Sequence, residues 1–303
     1  MASIQAAVMT APGQIEMQEV ARGPIGDDEL LLKIERTGIC GSDKHMYAGH
    51  MGLPFPIIPG HELVGTIEEL GSKATEAMAI VGGHLSYFGI EATGTDECRA
   101  AVRQLVKEGA DFVKITATGG STATSIPLRP SFTVEELTAI CDEIHKFGRH
   151  AAAHCVSSQA MLNCLEAGID TIIHARYHEP DGSWGYREDV VERMVERGVM
   201  ANCNLGGGMI RLRQMEARAE AGTLTSAEQV ELDDMKRERD RYIDAIGRMR
   251  AAGVRLACGS DSSWGNYPMG LFHKEVEAHV EAGMSPMEAI VSATSDSARS
   301  CWI

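Results

Sequence analysis

Four residues stand where chemistry could be done: Lys114, His154, His174 and Asp261. Each lies toward the C-terminal end of an apolar run that reads as a buried strand. The runs are Ala110-Asp-Phe-Val-Lys114-Ile-Thr, His150-Ala-Ala-Ala-His154, Ile169-Asp-Thr-Ile-Ile-His174 and Val254-Arg-Leu-Ala-Cys-Gly-Ser-Asp261. Neutral imidazoles and a carboxylate bind zinc, and a bound ion lowers the pKa of its water toward neutrality. A barrel of parallel strands gathers such residues where the strands end and the loops begin. Plainer readings stand beside this one: a surface lysine, histidines satisfied inside a core, and an aspartate that caps a helix or turn. His150 shares strand parity with His154 but is roughly 13 Å away along an extended strand, too far for one shared metal.

His84 follows two glycines in a loop, where it could contact a substrate or simply support the loop. His178, His273 and His279 fit no constellation and are expected at solvent. Gly206-Gly-Gly208 lacks the spacing of a dinucleotide fingerprint and reads as a loop at the barrel mouth.

The elements that must position these residues follow two rhythms. Residues 1 to about 75 look β-rich, with Leu30-Leu-Leu-Lys-Ile34 and Leu63-Val-Gly-Thr-Ile67 as short strands among Gly and Pro turns. From about residue 94 the order becomes helix, glycine, strand, repeated. A helix from Asp96 to Lys107 ends at Gly109, and Thr133-Val-Glu-Glu136 is a capping box for the helix that Gly148 closes. Ser158 to Ala167 with Gly168 repeats the device, as does Glu188 to Arg197 with Gly198. A second capping box, Thr225-Ser-Ala-Glu228, opens a long charged outer helix to Ala252, preceded by a shorter one over 211–221.

Composition sets the outer limits. The 303 residues suffice for one α/β barrel or two ordinary domains, and 44% hydrophobic with 23% charged residues is typical of a globular enzyme. A net charge of −15 excludes nucleic acid and anionic membrane as expected partners. No apolar run reaches the ~20 residues of a membrane helix, and the start has no basic, apolar leader pattern. Eight cysteines without a Cys-x-x-Cys pair read as buried thiols of a reducing compartment, so a cytoplasmic protein is expected.

From about residue 79 to 300 the sequence resembles the amidohydrolase superfamily, in its prolidase-like and imidazolonepropionase-like branches. The matching stretches are Gly82-Gly-His84, Phe112-Val-Lys-Ile-Thr-Ala-Thr-Gly-Gly120, Ala153-His-Cys155, Thr171-Ile-Ile-His174 and Gly259-Ser-Asp261. The resemblance implies a TIM-like (β/α) barrel that hydrolyses amide, dipeptide or lactam C–N bonds of small molecules with zinc or another divalent metal. It implies a carboxylated Lys114 bridging two metals, with His154 and His174 as ligands of one. Asp261 would bind metal and carry a proton from the attacking water to the leaving group. The His-x-His pair of that family occurs nowhere in this chain. Only five strands are legible, those bearing Lys114, His154, His174, Cys203 and Asp261. The barrel is therefore expected to be incomplete, its activity impaired, and its exposed edges prone to pairing as a homo-oligomer.

Residues 1 to about 75 resemble the GroES-like start of zinc-dependent medium-chain alcohol dehydrogenases. The carrying motifs are Gly38-Ile-Cys-Gly-Ser-Asp-Lys-His45 and Pro59-Gly-His-Glu-Leu-Val-Gly65. The match implies Cys40 and His61 as zinc ligands, Glu62 as an adjacent or alternating one, Ser42 and His45 as a proton relay, and Asp43 in support. The nicotinamide-binding part of that family is absent, so NAD is not expected. The chain thus reads as a chimera joined near 73–79, with domains 1–75 and 79–303. Metal-dependent C–N hydrolysis is the leading reading. An alcohol dehydrogenase-like oxidoreductase and an inactive fusion product are the alternatives.

Overall fold

The computed structural model describes residues 3–25, 30–37, 44, 46–49, 54–59, 63–70, 78–81, 83–86, 89–120, 122, 124–261 and 270–301. The chain divides into two compact units, Met1–Thr75 and Glu76–Ile303.

The first unit is antiparallel. Strands β1 (Ser3–Ala11) and β2 (Gln14–Ala21) form a hairpin that the sequence reading had not picked out. Its tip is the pair Pro12-Gly13, and Gly13 takes φ 76°, the left-handed backbone that a tight hairpin turn demands. Tyr47 donates its hydroxyl to Gly13 O at 2.7 Å and pins that tip. The expected strands are present as β3 (Leu30–Thr37) and β4 (Leu63–Leu70), paired antiparallel with two register shifts.

The second unit is an α/β layer structure around a parallel sheet of seven strands, where five had been legible. In sequence the strands are β5 (Met78–Ala79), β6 (Ile90–Glu91), β7 (Phe112–Thr116), β8 (His150–Ser157), β9 (Thr171–His178), β10 (Met200–Asn202) and β11 (Leu256–Ala257). Their spatial order is β11-β10-β9-β8-β7-β5-β6. The two additional strands are two residues long each, too short to leave a periodic signal.

Helices separate the strands: α1 (Thr95–Glu108), α2 (Val134–Lys146), α3 (Ser158–Ala167), α4 (Glu188–Arg197), α5 (Gly206–Glu220), α6 (Ser226–Ala252), α7 (Phe272–Glu281) and α8 (Pro286–Val291). Both expected capping boxes are made, Thr133 with Glu136 and Thr225 with Glu228. Gly206-Gly-Gly208 forms the first turn of α5 instead of a loop. Its start is stabilised from outside, because the Glu275 carboxylate accepts from Leu205 N at 2.8 Å and Gly206 N at 2.5 Å.

Strand parity sorts the chemistry from the core. Val113 and Ile115 on β7, Ala151, Ala153 and Cys155 on β8, and Ile172 on β9 pack with helix residues such as Leu105, Ile140, Ile144 and Leu165. Lys114 and His154 lie at the alternate positions, so the same pleat that builds the core turns them to the opposite face. Among the described cysteines all but Cys301 are buried free thiols.

Candidate active site at the strand ends

Parallel pairing fixes the level of each side chain. Lys114 pairs with Ala152, Thr116 with His154, and Cys155 with His174, so the three candidate residues rise along neighbouring strands toward one end. The His154 and His174 rings meet edge to face with centroids 4.6 Å apart. His84 joins them from its loop, its ring 4.7 Å from that of His154. It is 4% exposed and its Nδ1 lies 3.1 Å from Thr122 Oγ1. That loop histidine is thus part of the cluster.

The glycines of the sequence motifs now have reasons. A Cβ on Gly120 would stand 2.6 Å from the His84 ring, and one on Gly119 would stand 2.0 Å from Ile126 O. A Cβ on Gly259, two residues before Asp261, would stand 2.5 Å from Asn202 Nδ2.

Backbone strain concentrates at the same place. The non-glycine residues with left-handed φ among those described are Leu85 (58°), His174 (72°), Ala175 (48°) and Asp261 (49°). Each adjoins or belongs to the cluster, and such conformations cost of order 1–3 kcal/mol apiece, so the surrounding structure must impose them. Tyr242 donates its hydroxyl to His174 O and helps hold that turn.

The electrostatics favour neutral imidazoles. Burial, then His84 and Lys114, pushes His154 down to about 3, while a contact with Gly119 O at 3.3 Å opposes the shift. His174 is held well below its ordinary value by burial, His154, Arg176 and Lys114. His84 is lowered by burial and Lys114, and the Asp261 carboxylate pulls it back up. Asp261 itself is exposed, and this attraction to His84 is its link to the cluster. A proton on His154 Nε2, given to Gly119 O, leaves Nδ1 with a free electron pair, as metal-binding histidines require.

Sequence reasoning missed three polar neighbours. Arg176 sits two residues beyond His174, donates to Glu238 at 3.1 Å and stacks over Tyr242 at 4.9 Å. Asn204 donates to Gly259 O at 2.6 Å, and a side-chain hydrogen bond with His174 opposes the lowering there. Arg176, Asn204, Met209, Met235, Glu238 and Tyr242 line part of a cavity of about 160 Å³. Arg176 lies on β9 itself and Asn204 just past β10, and those positions were a usable signal. The third, Thr122, carried none because its contact with His84 spans 38 residues.

Of the remaining three histidines, two depart from the solvent position expected of them. His279 is fully buried, not at solvent, because α7 packs it against the carbonyl of Cys203. His178 is partly buried and meets Glu238 at 3.1 Å. His273 is exposed, as expected. Cys40, Ser42, Asp43, His45, His61 and Glu62 lie outside the described residues.

With this geometry in hand, the chain belongs to the amidohydrolase family, which it matches over residues 60–303. It is 28% identical over 217 residues to an ochratoxinase of Aspergillus niger, covering 68% of this chain and 39% of that protein. Its fold resembles a Xaa-Pro dipeptidase crystallised with methionine in the active site, with TM-score 0.56 and 23% identity, covering 89% of this chain and 63% of the dipeptidase. A short segment is 38% identical over 85 residues to an alcohol dehydrogenase of Cupriavidus necator, 27% of this chain and 23% of that protein. The chain spans less than half the length of these curated relatives, and the two kinds of match fit a chimera. Members of the amidohydrolase family are typically metal-dependent.

Proposed function

We propose that residues 79–303 are a metal-dependent hydrolase domain that cleaves amide C–N bonds of small molecules, N-acyl amino acids or dipeptides first among them. The observation that carries this reading is the meeting of the His84, His154 and His174 rings beside the strand that bears Lys114, with the imidazoles kept neutral. The donor set suits zinc or manganese: His154 and His174 as nitrogen ligands, Asp261 as a carboxylate, and Lys114 once carboxylated. An ammonium at Lys114 would repel a cation, so Lys114 would serve as a ligand only after its amine, having given its proton to solvent, adds carbon dioxide and releases a second proton to form a carbamate. The bound metal would supply a water of lowered pKa.

The chain's own residues then do the rest. Asp261 takes the water's proton and returns it to the departing nitrogen. His84, locked between Thr122 and the Gly120 backbone, faces the substrate carbonyl. Arg176 offers a cation beside apolar Met209 and Met235, a wall that suits an amino acid's carboxylate and side chain. The test is release of amino acid from N-acyl amino acids and dipeptides by the full chain with added zinc or manganese. Metal-dependent turnover that collapses in Asp261→Asn and His154→Ala supports the proposal; turnover surviving both would defeat it.

A second reading rests on the 38% identity to an alcohol dehydrogenase over 85 residues. Cys40, His61 and Glu62 would hold zinc there, with Ser42 and His45 as relay. Hydride transfer would need a nucleotide-binding partner chain, and NAD-dependent alcohol oxidation that appears only when such a partner is added would establish that reading against ours.

A further inference from the structure

A second buried donor cluster lies within the larger unit, on residues the hydrolytic reading does not use. Helix α7 places Glu275 and His279 four residues apart, on one face of the helix. Cys258 follows β11 and is 3% exposed, while Glu275 and His279 are fully buried. One donor atom from each of the three lies within 4.8 Å of the other two.

Ordinary structural roles account for part of this cluster and leave a remainder. Glu275 caps the start of α5 through two backbone amides. His279 Nε2 lies 3.0 Å from Cys203 O and 3.2 Å from Glu275 Oε1. His279 Nδ1 is buried and has no partner among the described residues. A buried nitrogen without a partner destabilises the fold, and a capping role does not require one. If Nε2 carries the ring proton and gives it to the Cys203 carbonyl, Nδ1 holds an unshared pair that nothing meets. This is how metal-binding histidines are commonly arranged, one nitrogen on the ion and the other on a carbonyl.

We propose that Cys258, Glu275 and His279 bind a zinc-class divalent ion at a buried structural site, using no residue of the strand-end cluster, and that the ion ties β11 to α7. Thiolate, imidazole and carboxylate are the three side-chain types zinc accepts, and softer thiolate disfavours magnesium and calcium. As the ion enters, Cys258 gives up its thiol proton to solvent.

The experiment uses the metal-free full chain carrying Cys40→Ser, which removes the thiol of the N-terminal zinc motif. Titration with cobalt(II) is expected to give sulfur-to-cobalt charge-transfer absorption saturating near about one ion per chain. The band should persist in His154→Ala and disappear in Cys258→Ser, and His279→Leu should weaken cobalt binding at least tenfold. X-ray absorption of the zinc-loaded Cys40→Ser protein needs no change at a buried position. It should show sulfur at about 2.3 Å from zinc. A zinc shell of nitrogen and oxygen only, or a cobalt–sulfur band unchanged in Cys258→Ser, overturns the proposal.

Discussion

Strands β8 and β9 carry polar side chains at both ends, and the two ends differ in their surroundings. At the starting end, His150 Nε2 meets Thr171 Oγ1 at 2.9 Å and His145 Nε2 meets Asp170 at 2.8 Å. Asp170 also accepts from Ala151 N at 2.8 Å, and Thr171 donates to Ser300 O. Burial lowers His150, but Asp170 opposes the shift. At the finishing end, His154 and His174 meet other imidazoles and the cations Lys114 and Arg176, which reinforce the effect of burial. One end is a satisfied hydrogen-bond network, the other a set of neutral donors with strained backbone. In barrels of this kind the first pattern serves stability and the second serves chemistry.

The largest expected effect breaks the comparison outright. His154→Ala should lower hydrolytic kcat/KM by about 10²–10⁴-fold, whereas His150→Ala should leave it within about threefold, in assays of folded protein. Equal losses would mean the ends do not divide labour.

Gly120→Ala comes next. Its new Cβ would intrude on the His84 ring, now in contact with the glycine backbone. Displacing one positioning side chain by about an ångström should cost roughly 10–100-fold in kcat/KM while thermal stability changes little. Unchanged kinetics would remove His84 from the site.

Asp170→Ala probes the other end. It strips an acceptor from Ala151 N and His145, so urea unfolding should show a loss of about 1–3 kcal/mol with metal binding intact. A loss of metal binding would couple the two ends.

The smallest effect is a pH slope. His154 titrates near 3 in the folded chain against 6.5 ordinarily, and His174 is shifted the same way. The unfolded chain therefore binds more protons below about 6.5, so metal-free protein should lose stability as pH falls from about 6.5 toward 3. His154→Gln should flatten that slope in denaturant titrations at several pH values, and an unchanged slope would assign the acid sensitivity elsewhere.

Much of this architecture was legible in the sequence, for physical reasons. Helix-closing glycines, two capping boxes and apolar runs ending in Lys114, His154 and His174 each encode local geometry, and those elements stand as read. The two-residue strands β5 and β6 were not legible, since pairing that short leaves no pattern. Neither was the burial of His279, because the carbonyl that receives it is 76 residues away. The strained φ values at His174 and Asp261 are likewise tertiary, imposed on residues whose own preference is different. Even the Gly206-Gly-Gly208 helix start depends on a remote carboxylate, Glu275.

The finishing ends of β7, β8 and β9 are proposed to hold a divalent metal. Manganese(II) tests this most directly, because it favours imidazole and carboxylate over the buried thiol cluster. Equilibrium dialysis of the full chain in bicarbonate buffer would compare wild type, His150→Ala and the pair His154→Ala with His174→Ala. Retained manganese in the first two and a loss of at least tenfold in affinity in the third is the predicted result. Manganese bound equally by all three would contradict the assignment of this strand end as the metal centre.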